Sequence, residues 1–311
     1  MRYTLRQLEY FIAAGEAGSI RHASEKLSIS QPSISTAIAH LEQELGVQLF
    51  IRHHAQGLSL TPAGRRLVAE AKRVIQMAEG LYAAASEVTD QVRGQLTVGA
   101  MVTLAPMIMP ELAHGFMSAY PATEIRQFEA DHEQLMERLK RAEIDIAITY
   151  DLQIPEDISF LPLASLPPHI LVSAAHPFAG REEVSLRELA DEPLILLDLP
   201  LSREYFFGLF FREGLEPKMY SRSSHQEVVR TMVANGYGYT LANVRPRSDL
   251  ALDGRRVVRV RLAGDHRPMV VGIATLETIR KSRLLERFEA HCTASISDLS
   301  LPGMTAPDLP D

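Results

Sequence analysis

The sequence predicts an α/β chain in three parts: a small helical head closed by a β-hairpin, one long helix, and two α/β lobes. Three observations carry this. Ser19 to Leu45 reads as two short capped helices joined by a tight turn. From Thr61 an apolar helical repeat runs through three heptads. Beyond Arg93-Gly94, strands and helices alternate over about two hundred residues. A chain of 311 residues suggests roughly two domains, and its 46% hydrophobic content can supply more than one core.

In the head, Thr4 followed by Gln7 is a capping-box pattern, and Leu5, Leu8, Phe11 and Ile12 line one side of a first helix. Gly15 and Gly18 are expected to end it. Ser19 caps a second helix that turns Ile20, Ala23 and Leu27 inward. Ser30 caps the third, where Pro32 is tolerated because the first turn has no intrahelical N–H bonds to lose. Ile34, Ile38, Leu41 and Leu45 step by four, three and four, making one buried stripe. Ser33, Thr36, Ala37 and His40 are left on the opposite face, with no carboxylate until Glu42. A helix that enters a major groove needs such a small, non-acidic face. Gly46 stops the helix. Leu49-Phe50 and Leu58/Leu60 then flank a hairpin whose turn carries Arg52, His53 and His54. Three helices and a hairpin make a winged helix-turn-helix, a module for double-stranded DNA. The plainer alternative is a helical hairpin with a solvated face.

Thr61-Pro62 starts a helix expected to reach about Thr89. Leu67, Ala71, Val74, Ala78, Leu81, Ala85 and Val88 alternate steps of four and three, a narrow alanine-rich seam suited to pairing two copies of the chain. The alternative is packing on its own chain.

The remainder restarts its strand–helix pattern near Leu161, which divides it into two lobes joined by crossing strands. The expected boundaries are a head at 1–61, a helix at 62–90, lobes over 94–296 and a disordered, proline-containing tail at 297–311. The first lobe takes about 94–161 and 267–296, the second about 162–266. A two-lobed α/β domain has its cleft at the strand carboxyl ends, where helix N-termini favour anions. Thr103, Ser202, His225 and Gln226 fall at such ends, Tyr150, Tyr205 and Phe206 can wall the cleft, and Arg203 and His225 are the candidate cations.

The net charge of −7 argues at first against nucleic acid, but residues 1–93 hold ten Lys/Arg and nine Asp/Glu, which leaves −8 to the rest. Local phosphate contacts, not the chain total, decide DNA affinity. There is no GxSxG, HExxH, P-loop or GxGxxG, and Gly236-Tyr237-Gly238 reads as a turn. Cys292 is the single cysteine, so no internal disulfide and no cysteine metal site are expected. These features predict a cytoplasmic protein that is not an enzyme, has no cofactor or metal, and does not engage a membrane. A solute-binding module or an enzyme with a helical extension is the alternative.

The chain also resembles the bacterial LysR-type transcriptional regulators. The resemblance rests on Phe11, Gly18-Ser19, Ala23, Ser30-Gln31-Pro32-Ser33 with Ser35, Leu41-Glu42, Leu45-Gly46, Leu49-Phe50, Arg52, Leu60-Thr61 and Ala63-Gly64. It extends, more loosely, to a periplasmic-binding-protein-like effector domain after residue 93. It implies promoter DNA as partner, read through Ser30, Gln31, Pro32, Ser33, Ser35, Thr36, His40, Arg52 and His53. It implies a homodimer through the long helix, assembling to a homotetramer, with RNA polymerase as a further partner. It also implies a small effector, an aromatic or keto carboxylate, in the cleft. Two departures stand out: the family commonly has arginine where Thr36 stands and an acidic residue at Ile51.

Overall fold

The computed structural model describes residues 3–53, 57–87, 92–277 and 281–305. It contains two compact units, one of the head with its long helix and one of the two lobes.

The head comprises α1 (Leu5–Ala17), α2 (Ile20–Leu27), α3 (Gln31–Leu45), the antiparallel pair β1 (Phe50–His53) and β2 (Gly57–Leu60), and α4 (Pro62–Glu87). The Thr4/Gln7 capping box forms, and Ser19 and Ser30 accept the third-residue N–H of their helices. Gly15 does not end α1. It lies inside the helix, where its bare Cα lets Leu60 and Val68 pack close, and Gly18 is the terminator. Leu8, Phe11, Ile34, Ile38, Leu41, Leu49 and Phe50 form the core, with Phe11 edge-on to Phe50 at 5.6 Å.

The first two seam positions of α4 belong to this same core. Ala71 is buried in it, and Leu67, Val68 and Ile75 pack around it where α4 runs along α1. The apolar partner for the start of α4 is therefore within the chain, which corrects the reading of Leu67 and Ala71 as pairing residues. Val74 remains 40% exposed and Met77 72%. Leu81 and Ala85 are on α4, but their side chains and all of Val88 lie outside the described residues, as does His54. Glu16 of α1 binds both Lys26 of α2 and Lys72 of α4 at 3.0 Å. Burial pushes its carboxyl up, but the hydrogen bonds from Lys26 and Lys72 outweigh this and hold it below the usual glutamate value.

The first lobe has β3 (Gly94–Met101), α5 (Ala105–Ala119), β4 (Thr123–Ala130), α6 (His132–Lys140), β5 (Ile146–Tyr150) and β6 (Ile158–Leu166). The second has β7 (His169–Ser173), β8 (Glu183–Val184), α7 (Leu186–Leu189), β9 (Leu194–Leu197), α8 (Ser202–Arg212), β10 (Met219–Ser223), α9 (Gln226–Ala234), β11 (Thr240–Ala242) and β12 (Val257–Leu262). The chain then returns to the first lobe as β13 (Met269–Leu276) and α10 (Arg283–Ser295). The first sheet runs β4-β3-β5-β13-β6, parallel among β3, β4 and β5 but antiparallel at β13. The second lobe carries β11-β7-β12-β8 and a parallel pair, β9 with β10. Since β6 stays paired with β13 as far as Leu166, the crossing lies at residues 167–168 and not at 161.

The expected disorder after Ser297 does not hold for residues 297–305. Leu301 and Met304 are buried in the main core, and Met304 bridges Pro246. Their apolar side chains outweigh the proline content as a guide. No helix among the described residues is long and apolar enough to cross a membrane.

Candidate functional site

Two sites emerge, one in each unit. On the head, Gln31, Pro32, Ser33 and Thr36 are exposed along α3, while Ser35 and His40 are half-buried. Ala37, expected on this outer face, is buried, and instead floors a shallow groove walled by Gln7, Pro32, Ser33, Thr36 and His40. Ser30 and Ser33 share a hydroxyl–hydroxyl bond of 2.7 Å at the helix start. Glu42, the nearest acid, is turned away from this face. Its carboxylate accepts the backbone N–H groups of Leu49 and Phe50 at 2.7 and 3.2 Å, fixing where the hairpin begins. Thr61 anchors the other end, donating its hydroxyl to Gln48 O and accepting Gly64 N–H. Arg52 is exposed on β1, and His53 beside it pairs with Ser59 at 2.8 Å. The result is a small, acid-free helix face with a basic hairpin held firmly next to it.

In the second unit a cavity of about 40 Å³ opens between the lobes. Thr103, Tyr150 and Met269 line it from the first lobe; Ser202, Phe206, Gln226, Arg230 and residues 240–244 line it from the second. Tyr150 and Thr103 share a hydroxyl bond of 3.0 Å, and burial pushes the Tyr150 phenol far up, so it is neutral. Ser202 opens α8 directly after Leu201, whose φ of +62° is a left-handed conformation that a leucine adopts only under constraint. That strained turn sets the serine at the cavity wall.

Three expected cleft residues are not among the lining. Arg203 points into an ion pair with Asp198 and Glu204, both at 2.8 Å, which takes up its charge. His225 is exposed beside α9 and its side chain caps nothing. Tyr205 sits one shell away, donating to Arg267 O at 2.6 Å, while burial pushes its phenol up to about 12.

The sequence reading missed Arg230 and Asn243. Arg230 is only 4% exposed and donates to the Ser248 and Leu250 carbonyls, with Glu227 at 3.5 Å. A signal was available: Val229, Val233 and Ala234 form the buried stripe of α9, and Arg230 interrupts it. Asn243 donates to Leu166 O at 2.7 Å and to the Tyr205 hydroxyl at 3.3 Å, and its buried Oδ1 has no partner among the described residues.

Cys292 is buried in α10, and its surroundings push the thiol up to about 12, chiefly by burial and then by Glu289. At neutral pH it is a thiol and not the reactive thiolate. In native protein a maleimide reagent is expected to leave it unmodified over hours at pH 7.5, with labelling only after denaturation; rapid native labelling, read by mass spectrometry, would contradict its placement.

The geometry agrees with the comparisons. A profile for bacterial regulatory helix-turn-helix proteins of the lysR family matches residues 5–65, and one for the LysR substrate binding domain matches residues 89–297. A hydrogen peroxide-inducible genes activator from Dickeya chrysanthemi is 33% identical over 238 residues, 76% of this chain and 78% of that protein. Among solved structures, HinK, a LysR family transcriptional regulator from Pseudomonas aeruginosa, is 39% identical with a TM-score of 0.64, covering 95% of this chain and 99% of that one. Full-length OxyR from Pseudomonas aeruginosa, in a variant form, is 26% identical with a TM-score of 0.75, covering 93% and 97%. Members of this family are DNA-binding regulators with an effector-binding domain, not enzymes. The two matched profiles together span the head and both lobes, and the chain belongs to the LysR family of transcriptional regulators.

Proposed function

We propose that this regulator's action at its promoter is controlled by a small carboxylate held in the cavity between its lobes. The observation that carries the reading is Arg230, a buried guanidinium on the cavity wall whose one carboxylate partner, Glu227, stands off at 3.5 Å, whereas Arg203 is held by two carboxylates at 2.8 Å. It lies on α9, which begins without a side-chain cap, as does α8 at Ser202. A buried cation together with uncapped helix starts favours an anionic group. Phe206 supplies an aromatic surface for the rest of an aromatic or keto acid, and the lone Oδ1 of Asn243 favours an effector that also offers a hydrogen-bond donor.

The peroxide response for which the Dickeya activator is named is not carried over as a thiol mechanism. Oxidation of cysteine starts from an accessible thiolate, and Cys292 is neither accessible nor ionised at neutral pH. DNA is read by the exposed face of α3, from Ser30 to His40, with Arg52 and His53 of the hairpin alongside. Two copies pair along α4 beyond Ala71, where Val74 and Ala78 continue the heptad spacing. The exposure of Val74 and Met77 supports this, because two apolar side chains left in water on one helix favour a partner.

A thermal-shift series of metabolite carboxylates, each beside its primary amide, tests the effector class. The acid is expected to raise the melting temperature and the amide to leave it unchanged; at a hundredfold excess over Kd the gain is about 2.7 kcal/mol. Thr103→Val and Ser202→Ala are each expected to abolish that rise while DNA binding by gel shift stays intact. Equal shifts from acid and amide, or no shift from any acid, would remove the carboxylate reading.

A further inference from the structure

Gln7 of α1 and His40 of α3 meet in the shallow groove on the reading face, Gln7 Nε2 lying 3.2 Å from His40 Nδ1. The orientation of that amide is set from its other end. Gln7 Oε1 accepts the Thr4 backbone N–H at 2.8 Å and the Thr4 hydroxyl at 3.3 Å, so exchanging O and N would put an amino group against a backbone donor. The group facing His40 is therefore the NH₂, which has only protons to offer. Nδ1 must be the acceptor, and the proton of the neutral ring must be on Nε2. Nε2 has no hydrogen bond among the described residues, and the ring is half exposed beside Ser33 and Thr36.

The other polar groups of the groove are hydroxyls, which donate or accept as required and so discriminate poorly. A ring held in one tautomer does discriminate. We infer that Gln7 is a positioning residue that sets the tautomer of the His40 ring, and that His40 donates from Nε2 to a hydrogen-bond acceptor on DNA. On a base edge the matching groups are guanine N7 and O6, adenine N7 and thymine O4, and the amino group of cytosine is excluded. On the backbone the same chemistry is a phosphate oxygen. The inference rests on α3 being the DNA-reading helix, and its tautomer component can be read without DNA.

The test uses the full-length protein. ¹⁵N-histidine spectra, with His40 assigned by its loss in His40→Ala, are expected to show a protonated Nε2 and a bare Nδ1. Gln7→Glu keeps an oxygen for the Thr4 cap but sets a second oxygen against Nδ1, so the proton is expected to appear on Nδ1. Selection from a random duplex library then compares preferences. His40→Ala is expected to lower the preferred sequence's affinity about threefold to tenfold per half-site. Gln7→Glu is expected to produce most of that loss, and the double variant no more than His40→Ala alone. A loss confined to one base position per half-site identifies a base edge as the acceptor; a loss equal across all sequences identifies a phosphate. A native ring protonated on Nδ1, or unchanged DNA affinity in His40→Ala, would overturn the inference. Intact operator binding by the same preparation through its other contacts separates that outcome from failure of α3 to read DNA at all.

Discussion

Phe11→Ala is expected to unfold the head while the lobes remain folded. Phe11 is 1% exposed, sits at the centre of the head core and meets Phe50 edge-on. Truncating a buried phenylalanine costs about 3–5 kcal/mol, against roughly 5–13 kcal/mol for a unit of this size. At the lower end of that range almost nothing is left, and the head's melting temperature should fall by roughly 20 °C. The lobes have a separate core, centred on residues such as Phe116, Ile148 and Phe288. Gel shift at 37 °C should therefore lose the complex while the effector-induced thermal shift persists. Loss of both together in one transition would show that the units do not fold independently.

Gly238→Ala is expected to do the reverse. A Cβ there would lie 2.0 Å from the Pro193 carbonyl oxygen, at a φ of +150° that L side chains rarely adopt. Pro193 O also accepts the Tyr239 N–H, and Ile195 N–H is donated to Tyr239 O, so nothing can move aside without breaking the join between β9 and the start of β11. We expect a loss above about 4 kcal/mol, in the range reserved for clashes with backbone. The strand beyond supplies Thr240 to Val244 of the cavity wall, so effector-induced stabilisation should vanish while the head still binds DNA in the cold. Gly236→Ala is the control. Its φ is +83° but open space surrounds it, so it should cost only about 1 kcal/mol. Equal effects from the two substitutions would show that the Pro193 contact is not what requires glycine at 238.

These two glycines illustrate what was legible beforehand. Gly236-Tyr237-Gly238 could be recognised as a turn, but not that its second glycine passes against Pro193, forty-five residues earlier. Local signals read well throughout the head. Ser19, Ser30 and Thr61 cap or anchor as their neighbours indicate, because capping is decided within three residues. Strand direction was not legible: β13 reads like any buried apolar run, and only its partners reveal that it is antiparallel to β5 and β6. In the cavity, Thr103, Tyr150, Ser202 and Gln226 were found because hydroxyls and amides at strand ends and helix starts are positional signals. Arg203 misled because its charge is taken by Asp198 and Glu204, one of them five residues away. Arg230 was overlooked because a lone arginine in a helix is normally solvated, yet here the apolar residues around it turn that side inward.

The burial of Ala71 in the head core changes what the start of α4 is in energetic terms. A connecting helix that merely left the head would fray from its first turn and exchange its amide hydrogens early. Here Leu67, Val68, Ala71 and Ile75 are part of what holds α1 in place. The first three turns of α4 can therefore open only when α1 and α3 open. The amides of α4 up to about Ile75 should share one opening free energy with those of α1, as a single cooperative foldon, and protection should decline only beyond it.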